Sequence, residues 1–305
     1  MARVGGVNDA FRTPDERFSD LPGYAWEPRY FDPSDELAGL RMHYLDEGEG
    51  HPIVLVHGEP TWAFLYRKMI PTLSREGRVI APDFIGFGRS DKPTDKSWYS
   101  YERHVQALGQ LIDGLGLRDF TVVVQDWGGP IGLRVALERS ETCSSLVILN
   151  TGIFRPGPKW PTRGFLAWRE FAEKNPDLPV GFVIQGATTS ELSDEIIAGY
   201  EAPFPTPESK AGAAAFPLLV PMHEGDPGAA EMIEVREQLN RWDKPALVAF
   251  SDSDPIFPQD AGRRLAERIP GAVPFEAVAG AGHFLQEDKG EEVGQIVAAF
   301  LSKTA

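Results

Sequence analysis

Short apolar runs, most of them β-branched, break off again and again at a polar residue or glycine, and this recurrence constrains the fold more than any other feature. Ile53–Val56 ends at His57-Gly58, Arg78–Ala81 at Pro82-Asp83, and Phe120–Val124 at Gln125-Asp126. Ser145–Leu149 ends at Asn150, Ala246–Phe250 at Ser251-Asp252, and Val273–Val278 precedes Gly280-Ala281-Gly282-His283. Helical stretches separate the runs, and an amphipathic helix is predicted from Glu287 to Leu301. Strands that apolar alternate with helices in a parallel sheet joined by crossover connections. Ligands of such sheets sit outside the carboxyl ends of the strands, so the polar residues that end each run are expected on one rim. The stretch from Arg155 to Trp242 is rich in proline, glycine and helix formers and has no strand rhythm. It reads as a helical cap (155–242) inserted into a core made of 1–154 and 243–305.

Composition narrows the function by exclusion. Thirty basic residues against 45 acidic ones leave a net charge of −15. Nucleic acid and anionic membrane surfaces both require clustered positive charge and are poor partners for such a chain. The single cysteine, Cys143, rules out an internal disulfide and a cysteine-built metal site. Arg3, Asp9 and Arg12 interrupt the N-terminus before any signal-like apolar core forms. No apolar run approaches the ~20 residues of a membrane span. A cytoplasmic protein is expected.

The segment Val124-Gln125-Asp126-Trp127-Gly128-Gly129 leaves a buried strand and enters a helix within a few residues. A turn this sharp needs small neighbours and lifts its central side chain above the sheet, as in the G-x-S-x-G elbow of serine hydrolases. Here the central residue is Asp126, with Gly128 two positions on and Val124 in place of the earlier glycine. A carboxylate is already ionised at neutral pH and attacks an sp³ carbon without a base to activate it. Asp126 read in isolation favours catalysis, with a helix N-cap as the plain alternative. Two further residues raise it above that. His283 follows the last strand and suits a general base that activates water. Asp254, after the penultimate strand, suits the group that orients the imidazole, with Asp252 as its rival. The order Asp126, Asp254, His283 is the nucleophile–acid–base order of α/β-hydrolases. Asn150, at another strand end, is an amide and cannot supply the acid. The backbone N–H groups of Glu59 and Trp127 are candidates for an oxyanion hole, while His57 reads as a structural histidine.

Gln125-Asp126-Trp127-Gly128-Gly129 and His57-Gly58-Glu59-Pro60-Thr61-Trp62 resemble the nucleophile and oxyanion motifs of the haloalkane dehalogenases. The subfamily typified by the dichloroethane-degrading enzyme is most similar. The resemblance extends through Arg12–Phe18, His43–Gly48, Arg67–Pro71 and Pro82–Pro93 and is weakest in the cap. It implies an α/β-hydrolase fold with a mostly parallel eight-stranded sheet. It also implies a covalent alkyl ester on Asp126, hydrolysed by water that His283 activates. A halide would be held by two indole N–H groups, from Trp127 and from Trp168, although Trp168 also suits plain packing of the cap. Phe165, Phe204, Pro205, Ile256 and Phe257 match or flank pocket-lining positions of that family. Pro130 departs from it, standing where an aromatic is expected, which leaves the shape of the pocket open. No metal or organic cofactor is called for, and the partners implied are a small halogenated alkane and the halide released, with the protein a monomer. Epoxide hydrolases share the fold and an Asp–His–Asp apparatus, but they use acidic donors, usually paired cap tyrosines. The cap assigned here contains only Tyr200.

Overall fold

The computed structural model describes residues 10–153 and 161–304. Among them, eight strands pair into one sheet: β1 (Arg29–Phe31), β2 (Met42–Glu47), β3 (Pro52–Val56), β4 (Arg78–Pro82), β5 (Phe120–Gln125), β6 (Cys143–Leu149), β7 (Ala246–Ser251) and β8 (Glu276–Val278). Their spatial order is β8-β7-β6-β5-β3-β4-β2-β1. Only the contacts of β2, with β1 and β4, are antiparallel; every other neighbour runs parallel. The six apolar runs are all strands, although the last is shorter than its sequence suggests, at Glu276–Val278. β1 and β2 lack so clear an apolar run and are recruited by pairing onto the edge beside β4.

β5 sits at the centre and is buried along its whole length, because helices cover both faces of a parallel sheet. Val54 pairs with Val122 and Val122 with Leu146, so the three central strands stay in step and finish together on one rim. The helices α1 (Tyr101–Gly114) and α2 (Gly128–Glu138) pack together, and α2 lies against β5. Ser100 caps α1 by accepting the Arg103 N–H.

Four helices follow β6: α3 (Arg163–Lys174), α4 (Val180–Ala187), α5 (Asp194–Glu201) and α6 (Ala211–Leu219). Thr162 and Ser193 cap α3 and α5 through their side chains. These helices pair as α3 with α6 and α4 with α5, above the strand ends. The next helix, α7 (Ala229–Leu239), instead packs against α2 of the core. The expected junction at 154/155 lies outside the described residues. Finally α8 (Gln259–Ala266) rests on β7, and α9 (Leu285–Thr304) closes the chain across the sheet.

Cap and core are joined by a buried ionic cluster. Glu287, at the start of α9, takes a bidentate pair from Arg67 at 2.6 and 2.8 Å and a bond from the Tyr200 hydroxyl of α5 at 2.5 Å. Lys68 adds a further contact at 2.9 Å. Two cations and a hydroxyl satisfy this buried carboxylate, which keeps it ionised below the usual carboxylate range despite burial. No helix among the described residues is long and apolar enough to cross a membrane.

Candidate active site

The end of β5 carries the most strained residue of the rim. Asp126 has φ +48°, a left-handed conformation that L residues other than asparagine and aspartate rarely adopt. Its neighbours make room for it. A Cβ on Gly58 would fall 2.4 Å from the Asp126 Cβ, and one on Gly128 would fall 2.1 Å from the Val56 carbonyl oxygen. Both glycines are therefore dictated by close approach of the β3 end to the turn. Asp126 N–H donates to the Asn150 carbonyl at 3.1 Å, and the Thr151 hydroxyl donates to the Asp126 carbonyl at 2.6 Å. The start of α2 lies directly behind the side chain, and its helix dipole favours negative charge there.

The two carboxylate oxygens of Asp126 face different partners. The Glu59 N–H donates to Oδ1 at 2.9 Å, and the His283 Nε2 lies 3.6 Å from Oδ2. On the other side of the ring, His283 Nδ1–H donates to Asp254 Oδ2 at 2.9 Å. Asp254 is held in turn by the backbone N–H groups of Ile256 and Phe257, at 2.7 and 3.0 Å. Asp252 turns outward and accepts the Gly280 N–H at 3.0 Å, so Asp254 and not Asp252 reaches the imidazole. Burial alone would lower the basicity of His283. The charge of Asp254 and the bond and charge of Asp126 outweigh it and push the ring up to about 10.

The loop that carries His283 is tied down from three directions. Its N–H donates to the Ala187 carbonyl at the end of α4 at 2.8 Å. Asp288 accepts the Gly282 N–H at 2.8 Å and the Ser190 N–H at 2.8 Å, linking cap to loop. Asn150, unable to act as the acid, donates to Ser251 Oγ at 2.7 Å and to the Gly282 carbonyl at 3.0 Å. Gln125 Nε2 lies 3.1 Å from His283 Nε2 and donates to the His283 carbonyl at 3.3 Å. These ties were invisible in the sequence, where each such residue is one polar side chain among many.

A cavity of about 270 Å³ opens above Asp126. Asp126, Trp127, His283 and Glu59 form its floor, while Phe165, Trp168, Ile256 and Phe257 contribute to its apolar wall. Trp127 packs edge-on to Phe216, and Trp168 stacks on Phe171 with centroids 6.0 Å apart. Indole is a donor only, with an apolar body that excludes water around a weakly hydrated anion. Burial, reinforced by the charge of Asp126, raises the Glu59 carboxyl well above the usual carboxylate range. His57 is spoken for on both nitrogens, donating to the Gly58 carbonyl at 2.8 Å and accepting the Phe84 N–H at 2.9 Å. It is a buried structural ring.

Two of the expected wall residues lie elsewhere. Phe204 and Pro205 do not line the cavity. The chain leaving α5 turns toward the core, where Phe204 meets Phe87 edge-on at 6.4 Å and Thr13 bonds the neighbouring Pro203 carbonyl at 2.7 Å. Pro130 also stays out of the wall. It occupies the first turn of α2, where an N–H is not needed, and its carbonyl accepts the Tyr101 hydroxyl at 2.9 Å. Conversely, Phe171, Phe182, Val183 and Val220 line the cavity without having been singled out. Phe165, Trp168 and Phe171 recur every three residues, a helical stripe that sequence alone cannot distinguish from ordinary packing. Tyr200, the one cap tyrosine available to an epoxide-opening enzyme, is buried on Glu287 and absent from the cavity wall.

Comparison with known proteins agrees with this geometry. The α/β hydrolase fold family matches residues 51–195. A haloalkane dehalogenase of Mycobacterium marinum is 45% identical over 298 residues, covering 96% of this chain and 99% of its own. One from Psychrobacter cryohalolentis is 43% identical, covering 95% and 97%. Among solved structures, the tetrameric haloalkane dehalogenase DpaA of Paraglaciecola agarilytica superposes with a TM-score of 0.89 at 36% identity, over 94% of this chain and 97% of its own.

Proposed function

Because the chain belongs to the haloalkane dehalogenases, hydrolases that act on carbon–halide bonds, we propose that Asp126 is the nucleophile, His283 the base and Asp254 its orienting acid. The reaction has two halves. Asp126 attacks the halogen-bearing carbon of a small haloalkane in line with the leaving halide and becomes an ester. The indole N–H groups of Trp127 and Trp168 stabilise the charge that grows on the halogen. His283 then takes a proton from water, which adds to the ester carbonyl carbon, and the backbone N–H groups of Glu59 and Trp127 hold the oxyanion. Loss of one such donor costs on the order of 3 kcal/mol in hydrolases. Alcohol, halide and a proton leave.

The observation that carries these roles is the placement of Asp126 between the Glu59 N–H and the His283 ring, at the floor of an apolar cavity with two indoles. The wall residues Phe165, Ile256 and Phe257 complete the pocket in this reading. Core and cap divide as 1–154 with 243–305 and 155–242, with α7 as the part of the cap segment that leans on the core. The protein works as a cytoplasmic monomer, which sedimentation checks against the tetramer of the DpaA relative.

The test is halide release from 1,2-dibromoethane and 1-bromobutane beside Asp126→Ala and His283→Phe. Wild type is expected to turn over and Asp126→Ala to release nothing. His283→Phe should release about one bromide per protein and stop, with turnover reduced by at least the ~10²–10⁴-fold of general-base catalysis. Continued turnover by Asp126→Ala, or the absence of a burst in His283→Phe, sinks the assignment. Opening of styrene oxide without any halide release would move the chain to epoxide hydrolysis.

A further inference from the structure

A second cavity, of about 230 Å³, lies between α7 and α8, behind the wall of the first. Three arginines line it: Arg236 of α7, Arg264 of α8 and Arg268 just beyond the end of α8. Helical spacing puts Arg236 and Leu239 on one face of α7, and Arg264, Leu265 and Arg268 on one face of α8. Among the described residues no carboxylate lines this cavity, and none of the three guanidinium groups has an ion-pair partner. Acids outnumber bases 45 to 30 in this chain, and Arg12, Arg78 and Arg139 each find one.

Arg236 and Arg264 stand in the last turns of their helices, where a cation suits the helix dipole. The dipole accounts for the residue type, but it is served whichever way the side chain points. It does not bring cations from two helices to one cavity, and like charges four residues apart oppose each other. An anion removes that opposition, and the guanidinium fork matches a carboxylate two bonds at a time. The remaining lining is largely apolar, with Ile153, Leu239, Leu265 and Phe257. Phe257 also lines the catalytic cavity, so its ring is the partition between the two. That ring packs on Gly152, where a Cβ would fall 2.9 Å from it, and lies 5.7 Å from the His283 ring.

We propose that this cavity is a second binding site, for a carboxylate carried on a short apolar chain, separate from the catalytic cavity. The carboxylate sits among Arg236, Arg264 and Arg268, and the chain lies against Leu239, Leu265 and the far side of the Phe257 ring. At roughly 30 Å³ per water-sized unit the cavity holds on the order of eight non-hydrogen atoms, the size of hexanoate. The catalytic cavity cannot take such a ligand on the same terms, because the charge of Asp126 at its floor repels a carboxylate. The site also adjoins the catalytic machinery, since the Phe257 N–H holds Asp254 and the Thr151 hydroxyl, on the same wall, holds the Asp126 carbonyl.

The experiment is titration calorimetry with hexanoate, acetate and inorganic phosphate as probes. The proteins are wild type, the double variant Arg264→Gln with Arg268→Gln, Arg241→Gln and Asp126→Asn. Arg264 and Arg268 are exposed, so the double variant should melt with wild type. Each methylene fully buried is worth about fourfold, so hexanoate should bind at least about tenfold more tightly than acetate. The double variant should lose about five- to thirtyfold in hexanoate affinity, the worth of charge-assisted bonds reduced by screening. Arg241, exposed and absent from the cavity lining, carries the same charge, and Arg241→Gln should stay within about twofold of wild type. Asp126→Asn should likewise stay within about twofold, whereas a clear gain there would place hexanoate in the catalytic cavity and overturn the site. Absence of saturable hexanoate binding, or an affinity unchanged in the double variant, overturns it as well. Equal losses in Arg241→Gln would mean attraction by overall charge, and phosphate binding as tightly as hexanoate would mean that the apolar lining plays no part; either result refutes the proposal.

Discussion

Replacing Asp126 with asparagine tests the electrostatics of the site without disturbing its shape. Asparagine tolerates the φ of +48° and keeps the volume, but removes the charge 3.6 Å from His283 Nε2. At an effective dielectric of about 20, two unit charges at that distance interact by about 4–5 kcal/mol, roughly three pKa units. Water reaching Asp126, whose side chain is 18% exposed, screens part of this. The ring, pushed up to about 10 between its two carboxylates, should therefore fall by about one to three units in Asp126→Asn. Nitrogen-15 NMR of the imidazole across pH 5–11 reads it directly. The amide matches the alkyl ester in charge, so the same fall accompanies the first half-reaction. In the proposed mechanism His283 therefore holds its proton more tightly while Asp126 is free and less tightly once the ester has formed. The sign follows for stability as well. The contribution of a raised histidine is complete below its ordinary value near 6.5 and is lost as pH rises through the folded value. Wild type should lose stability over that window, and Asp126→Asn should lose less. An imidazole that titrates within about half a unit of wild type would show that Asp254 alone holds the proton, and the account of the switch would fall.

Two further perturbations probe the halide site and the cap. Trp168→Phe removes an N–H donor while keeping an aromatic body, and a hydrogen bond to a charged group is worth about 1.5–3 kcal/mol. Bromide should bind about 10- to 150-fold more weakly, as read by quenching of the remaining tryptophan fluorescence; unchanged binding would return Trp168 to cap packing. Glu287→Ala strands the buried Arg67 and should destabilise the fold by about 3–5 kcal/mol in chemical denaturation, whereas a cost under 1 kcal/mol would mean that water readily replaces the carboxylate.

The sheet was legible in the chain because its physics is local and periodic. A strand covered on both faces must be apolar throughout, so β3 to β7 announce themselves by composition and end where a polar residue meets the rim. The elbow was legible for a similar reason: small residues around a central acid at the end of a strand leave few conformations open. Edge strands β1 and β2 left a fainter mark, since they are defined by the neighbours they pair with. The cap was legible only as a region. Its helices are short, and which residue of Phe165–Phe171 faces the cavity or which way Phe204 turns depends on how α3 to α6 settle over the rim. Chain order alone left Asp252 and Asp254 as rivals; the choice came from a turn that aims one carboxylate at the ring and the other at the Gly280 N–H. Tertiary structure likewise decided that Asn150 and Ala187 hold the histidine loop and that Asp288 ties it to Ser190, because hydrogen bonds across roughly a hundred residues leave no periodic trace in the sequence that makes them.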